Sequence, residues 1–192
     1  LFDVGRKLPY GIPKTEEKRS ELKNYEGIVD VTLKIDGQSW SAYYHLKDDK
    51  FGILGRTIEI FDPPSNKELA KYLEHVKTYD IENKLRAYCK AKGISLCIRG
   101  ESYGKGITSR PINPHSKLPN ALAIFSVYLI DEHRYAQKGD PFYYVEVAKD
   151  LGLPVVPMLE ENVELDSALI KKYSVDLSEV DGQPFEGVVV KG

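Results

Sequence analysis

The sequence predicts an α+β fold built from antiparallel sheets flanked by helices, and three observations support this. Short runs rich in β-branched and aromatic residues, typical of strands, follow one another at hairpin spacing. Other segments carry apolar residues at helical spacing. Helices are interspersed with hairpins rather than alternating regularly with single strands, and this favours antiparallel over parallel pairing.

The first half of the chain predicts three strands and then two helices. The strands are residues 28–34, 38–46 and 51–54, and the spacing of the first two predicts a hairpin around Asp36-Gly37. Pro63-Pro64 ends this group of strands. Residues 65–68 have the form of a capping box, so a helix is expected there, and a second helix runs from about Asp80 to Gly93.

The second half predicts further strands and two more helices. Strict alternation of apolar and polar residues from Ile94 predicts a half-buried strand aimed at Gly100-Glu101. A nearly apolar run predicts a central strand, and Gly152 closes a helix that Asp140-Pro141 opens. The predicted strands are 94–99, 121–130, 154–159 and 186–191, and the predicted helices are 140–152 and 166–173.

Composition places the chain among ordinary globular proteins. The 192 residues are 42% hydrophobic and 29% charged with a net charge of -2, so any contact with nucleic acid must be local. We find neither a secretory signal nor an apolar run near the roughly 20 residues that span a bilayer, so we expect an intracellular protein, cytoplasmic or nuclear, without a membrane. Cys89 and Cys97 are too few for a disulfide framework and are assigned to the core or a helix surface.

The two ends differ from the rest of the chain. Residues 1–26 are polar and rich in glycine and proline, which predicts a loop and linker from a possible upstream domain, with a short helix near Thr15 to Lys23. The chain begins at Leu1 and stops at Gly192, directly after a strand-like run. We therefore expect residues 27–192 to form one domain that is incomplete at its C-terminus.

Lys34 is the first candidate for chemistry, because it lies at the exit of a stiff, β-branched run. A lysine where water is scarce loses its ammonium proton more easily and can act as a nucleophile. Asp36 lies two residues on and shares a face with Lys34 in an extended chain, while Gly37 leaves room for a ligand. An exposed lysine and aspartate entering a turn would give the same pattern.

Several predicted strands bring a charged residue and a glycine together at their ends. These pairs are Lys34 with Gly37, Arg56 with Gly55, Glu101 with Gly100, and Glu186 with Gly187. Glycines admit a ligand to the backbone, and the cations and carboxylates can bind phosphate, ribose or a divalent ion. This combination suits a nucleoside triphosphate with its metal, although neither a P-loop nor a Rossmann fingerprint is present.

These residues fall into motifs, and with them the chain resembles the covalent nucleotidyltransferases, and among those the ATP-dependent RNA ligases. The motifs are Lys34-Ile35-Asp36-Gly37, Gly55-Arg56-Thr57, Gly100-Glu101-Ser102-Tyr103-Gly104-Lys105-Gly106-Ile107, Phe125-Ser126-Val127-Tyr128 and Glu186-Gly187-Val188-Val189-Val190-Lys191. Residues 12–19 are also similar to a segment of ligases that carry an OB domain before the catalytic one. The closing motif of the family, a strand with paired lysines, does not occur up to Gly192.

The resemblance implies the nucleotidyltransferase fold shared by DNA ligases and mRNA capping enzymes. It also implies that Lys34 attacks ATP to form lysyl-AMP, that AMP passes to an RNA 5′-phosphate, and that a 3′-hydroxyl then seals the bond. The implied catalytic residues are Lys34, Glu101 and Glu186. The implied nucleotide contacts are Lys34, Asp36, Gly37, Arg56, Glu101, Tyr128, Glu186 and Lys191, and the implied Mg²⁺ or Mn²⁺ ligands are Glu186, Asp36 and Glu101. The partners would be RNA ends, including those of a nicked duplex, bound by a monomer with a possible upstream OB domain.

Other functions stay open from the residues alone. A DNA ligase or an mRNA capping guanylyltransferase would share the nucleophile motif, although the glycine-rich third motif favours an RNA ligase. An adaptor could keep the fold and only bind nucleic-acid ends, but the joint presence of Lys34, Glu101 and Glu186 argues against this. Tyr128 on its own would be a core residue. The four histidines are scattered and receive no catalytic role.

Overall fold

The computed structural model describes residues 2–4, 27–107, 115–174, 179–180 and 182–192. The predicted helix near Thr15 to Lys23 and the N-terminal linker lie outside these residues. The described chain divides into two compact units. Unit 1 contains the described residues up to Asp36, together with His115 and Val156–Gly192, and unit 2 contains residues 37–107 and Ser116–Val155.

Unit 1 is built on a four-stranded antiparallel sheet. Its strands are β1 (Phe2–Val4), β2 (Ile28–Leu33), β9 (Met158–Glu164) and β12 (Val188–Lys191), in the order β1-β12-β2-β9. Strand β2 has a neighbouring strand on each side and is buried at five of its six positions. Unit 1 also contains α4 (Ser167–Ser174) and a two-stranded ribbon of β10 (Glu179–Val180) and β11 (Gln183–Pro184).

Unit 2 is built on a six-stranded antiparallel sheet. The sheet contains β3 (Gln38–His45), β4 (Lys50–Leu54), β5 (Glu59–Ile60), β6 (Leu96–Tyr103), β7 (Ala121–Leu129) and β8 (Arg134–Tyr135) in the order β5-β4-β3-β6-β7-β8. Its helices are α1 (Ala70–Thr78), α2 (Ile81–Lys92) and α3 (Tyr144–Leu151), with α2 against β3 and α3 against β7. The core of this unit includes fully buried Trp40, Leu85, Ile98 and Ile124.

The α+β class with antiparallel sheets is confirmed. The strands of residues 28–34, 38–46, 51–54 and 121–130, and the helices of residues 80–93 and 166–173, are observed with small shifts at their ends. Gly93 and Gly152 adopt left-handed conformations at the ends of α2 and α3, as expected for helix-terminating glycines. None of the helices in the described residues is long and apolar enough to cross a bilayer.

The predicted hairpin around Asp36-Gly37 is wrong. Strand β2 pairs with β9 and β12, whereas β3 pairs with β4 and β6, so the two strands belong to different sheets. Tight hairpins need a residue with positive φ in the turn, and Gly37 is not among the glycines with positive φ. The segment is therefore a connection between two sheets.

Five smaller expectations also need correction. Helix α1 begins at Ala70 without a side-chain cap, because Asn66 Oδ1 accepts instead from the Leu69 N–H at 3.0 Å before the helix starts. Helix α3 begins at Tyr144 rather than Asp140, and the strand predicted at 154–159 is observed at Met158–Glu164. Glu101 lies inside β6 rather than at a strand end, and Glu186 precedes β12 by two residues.

Candidate functional site

Lys34 directly follows the last residue of β2. The backbone of Leu33 and Lys34 is hydrogen-bonded to two other segments of unit 1. The Leu33 N–H donates to the Pro157 carbonyl and the Lys34 N–H donates to the Gly187 carbonyl, each at 2.9 Å. Pro157 directly precedes β9 and Gly187 directly precedes β12, so these bonds extend the pairing of β2 with both strands. The backbone of Lys34 is therefore fixed even though the strand has ended.

Glu186 is the acidic partner of Lys34. Lys34 Nζ lies 3.9 Å from Glu186 Oε1, and the two side chains are only 16% and 8% exposed. The pairing of Val188 with Leu33 places the segment before β12 beside the end of β2. Because water screens a pair this far from solvent only weakly, the carboxylate fixes the position of the amine more strongly than a surface partner would.

Asp36 is held by a histidine that the sequence analysis left without a role. The Asp36 N–H donates to His115 Nδ1 at 3.2 Å, and His115 is buried. Burial lowers the pKa of His115, although the Asp36 carboxylate and the backbone of Pro184 act in the opposite direction. The two residues are 79 positions apart, so no local pattern could have predicted this contact.

Lys191 lies at the other end of β2 from Lys34. It pairs in register with Asp30, a buried carboxylate whose Oδ1 accepts from the Asn162 N–H at 2.9 Å. Lys34 lies four positions after Asp30, which corresponds to about 13 Å of extended chain. Lys191 and Lys34 therefore occupy opposite ends of the same pair of strands.

Within unit 2, Gly37 and Glu101 are in direct contact. The Gly37 N–H donates to Glu101 Oε1 at 3.1 Å. A Cβ at Gly37 would lie 2.1 Å from the Ser102 carbonyl oxygen, a separation that real Cβ atoms do not show. Glycine is thus required for the close approach of two backbones, whereas the sequence analysis expected it to leave room for a ligand.

Arg56 and Tyr128 occupy other parts of unit 2. Arg56 is exposed in the bend after β4, which the Gly55 N–H closes by donating to the Ile58 carbonyl at 2.9 Å. Tyr128 lies in β7 and is half-buried, with its ring 5.1 Å from the Tyr135 ring in an edge-to-face arrangement. An exposed guanidinium can bind phosphate, and a half-buried ring can present a face to a base.

The arrangement of acidic groups fits a metal that is shared with a bound substrate. Among the described residues, no group of three or more histidine, cysteine or acidic side chains is placed to hold a metal ion. Mg²⁺ commonly uses one or two carboxylates, with substrate phosphates and water completing its coordination. Within unit 1, the carboxylate of Glu186 lies beside Lys34 and offers hard oxygen donors of this kind.

The chain is similar to known RNA ligases in sequence and in structure. The family model for RNA ligase matches residues 27–192. Two solved structures of mutants of Naegleria gruberi RNA ligase match with a TM-score of 0.67: one without ligand is 22% identical and covers 98% of this chain, and one with ATP and Mn is 21% identical and covers 100%. A third structure of that ligase, with PPi, is 21% identical over 98% of this chain, with a TM-score of 0.64.

These likenesses confirm the fold, and the chain spans only 54 to 56% of the length of those ligases. A search of curated protein sequences gave no significant match.

Proposed function

Because the chain belongs to the RNA ligase family, we propose that it supplies the catalytic centre of an ATP-dependent RNA ligase with Lys34 as the nucleophile. The observation that carries this proposal is the environment of Lys34. Its side chain is 16% exposed, it follows a buried strand, and its Nζ lies 3.9 Å from Glu186 Oε1. A lysine withdrawn from water and oriented by a carboxylate is suited to nucleophilic attack once its proton is lost.

In the first step, the free amine of Lys34 attacks the α-phosphorus of ATP. A nitrogen–phosphorus bond forms, the bond from the α-phosphorus to the bridging oxygen breaks, pyrophosphate leaves, and the nitrogen then loses one proton to solvent. The lysyl-AMP then donates its AMP to the 5′-phosphate of an RNA end, which regenerates the amine. A 3′-hydroxyl attacks the activated 5′-phosphate and expels AMP, so that a phosphodiester bond is formed.

The remaining site residues supply positioning and charge rather than acid–base chemistry, as phosphoryl transfer generally requires. We assign Arg56 to a phosphate or ribose oxygen because its guanidinium is exposed. Tyr128 would stack on adenine, and Glu101 would bind ribose or water on the metal. Gly37 and Lys191 complete the proposed nucleotide contacts.

A divalent ion, Mg²⁺ or Mn²⁺, would neutralise charge on the phosphates. Glu186, Asp36 and Glu101 would hold it, directly or through water. Glu186 fits this role best, since its side chain is only 8% exposed and lies beside the proposed nucleophile.

The proposed partners are RNA ends carrying a 5′-phosphate and a 3′-hydroxyl, and a nicked duplex would present both together. With a net charge of -2 over the sequence, binding would depend on local cations rather than a uniformly basic surface. We further propose that the chain acts as a monomer, next to an OB domain, inside the cell.

Labelling with nucleotide tests the nucleophile directly. Incubation with α-labelled ATP and Mg²⁺ should transfer the label covalently to the wild-type chain, and Lys34→Ala should abolish this transfer. Lys34→Arg should fail as well, because a guanidinium stays protonated and cannot attack. The measurement is radioactivity retained by the denatured protein.

Lys50 provides a matched control. It also belongs to a strand and has a carboxylate partner, with Nζ 3.6 Å from Glu59 Oε1. Lys50→Ala should therefore keep the label. Label retained by Lys34→Ala would exclude Lys34 as the nucleophile, labelling by GTP alone would indicate a capping enzyme, and no labelling by either nucleotide would indicate an adaptor.

A further inference from the structure

The segment that carries Lys34 is held by backbone bonds on both sides of the lysine. Before it, the N–H groups of Leu33 and of Lys34 itself donate to carbonyls of neighbouring segments. After it, the Asp36 N–H donates to the imidazole of His115. Only this last bond depends on a side chain, so it is the one that mutation can remove.

The hydrogen bond defines the chemical state of His115. Since a backbone N–H can only donate, Nδ1 must be the acceptor, and the ring is therefore the neutral tautomer with its proton on Nε2. The exposed fraction of His115 is 1%, and burial holds its pKa below the usual value.

His115 is in contact with the segment that carries the proposed nucleophile. Asp36, which makes this contact through its backbone N–H, lies two residues after Lys34. All of these residues belong to unit 1. A single buried ring is thus placed to fix the position of the Lys34 segment.

We propose that His115 is a positioning residue for adenylation, which holds the Lys34 segment in the geometry for attack on the nucleotide. This inference rests on the proposed function. A displacement of about 1 Å at a reacting group can cost on the order of 10²-fold in rate. Loss of the His115 bond should therefore slow the chemical step more than it weakens nucleotide binding.

Single-turnover lysyl-AMP formation at a series of ATP concentrations provides the first readout. His115→Ala should lower the maximal rate by roughly 10- to 100-fold while the half-saturating ATP concentration changes by less than about threefold. His115→Asn should recover most of the rate, because an asparagine Oδ1 can accept near the position of Nδ1. Leu169→Ala, which removes a buried side chain of α4 in the same unit, controls for general destabilisation.

Amide hydrogen exchange at Asp36 provides a second readout that does not depend on activity. The amide should exchange faster in His115→Ala and regain protection in His115→Asn, with no change in Leu169→Ala. Unchanged exchange in His115→Ala, or equal rate losses in His115→Ala and Leu169→Ala, would overturn the positioning role. Absence of lysyl-AMP in the wild-type chain would instead refute the proposed function, and the two failures are thereby distinguished.

Discussion

Gly37 is the residue with the least room for a side chain near the proposed nucleophile. Besides the Ser102 carbonyl oxygen, a Cβ there would meet the Cβ of Tyr103 at 2.9 Å. The neighbouring atoms belong to the backbone and to the root of a side chain in β6, so neither can rotate away. Glycine at this position is a requirement of packing, whatever ligand the site binds.

We expect Gly37→Ala to destabilise the chain by about 1–3 kcal/mol, the range typical of overpacking. The measurement is the free energy of unfolding from urea titration. Gly55→Ala is the matched control, since its Cβ would meet the nearest atom at 3.5 Å and its φ is not positive. The control should leave stability unchanged or raise it by up to about 1 kcal/mol, through the reduced entropy of the unfolded chain. Equal stability of the two variants would contradict the close approach.

At the scale of single residues, the sequence marks residues that stand in local motifs and misses residues whose contacts depend on the fold. Lys34 and Glu186 stand in short motifs, and their contact at 3.9 Å joins two segments that the motifs had already marked. His115 stands in no such motif, and its contact with Asp36 follows from the fold alone. Such a histidine can be found only when the strands are already in place.

Helix α1 is attached to the six-stranded sheet through a second buried histidine. His75 Nε2 lies 2.7 Å from Ser102 Oγ, and its ring meets the Trp40 ring edge to face at 6.3 Å. The indole N–H of Trp40 donates to the Tyr72 carbonyl of the same helix at 3.0 Å. These contacts join α1 to β3 and to the part of β6 that carries Glu101.

The burial of His75 predicts a pH dependence of stability. Burial lowers its pKa from 6.5 to about 4; Glu74 opposes this shift and Lys71 adds to it. Below pH 6.5 the unfolded chain takes up a proton that the folded chain does not, so stability falls as pH drops from 6.5 to about 4. A shift of this size corresponds to a loss on the order of 3 kcal/mol.

Unfolding free energies between pH 7 and pH 4 check this expectation. His75→Gln keeps a polar group near Nε2 but cannot titrate, so its stability should decline less steeply with acid. Part of the slope should remain, because burial also lowers the pKa of His115. His133→Gln is the control at an exposed histidine and should keep the wild-type slope. Identical slopes for wild type and His75→Gln would exclude His75 as the source.

The elements themselves were largely predictable, whereas their pairing was not. Apolar alternation and the glycines at helix ends located most strands and helices within a few residues. The hairpin at Asp36-Gly37 was predicted because adjacent strands usually pair, but β2 finds its partners at residues 158–164 and 188–191. A local pattern contains no information on partners that lie more than a hundred residues away.

For the molecule as a whole, most of unit 2 is inserted in sequence between the two main segments of unit 1. The chain leaves unit 1 after Asp36, builds the strands and helices of unit 2, and returns to unit 1 at Val156. Only His115 interrupts this order among the described residues. All six strands of the larger sheet and helices α1 to α3 lie between Gln38 and Leu151.

We therefore expect the fragment of residues 37–155 to fold alone, because each of its strands keeps its partners. It should unfold in one cooperative urea transition, followed by circular dichroism. The fragment of residues 37–120 loses β7, β8 and α3 and should show no cooperative transition. A disordered 37–155 fragment would mean that the larger sheet requires residues of unit 1.

The pairing of β2 with β12 has a consequence for the order in which the protein is made. Thr32 Oγ1 donates to the Val189 carbonyl across a separation of 157 residues, and Lys34 is bonded to Gly187. Contacts of such high contact order form late and slowly. On the ribosome, Lys34 would be synthesised well before Gly187 and β12 emerge, and it would gain these neighbours only afterwards. With Lys34 as the proposed nucleophile, we expect no adenylation of a nascent chain that lacks β12, so the label on Lys34 would report that β12 had docked.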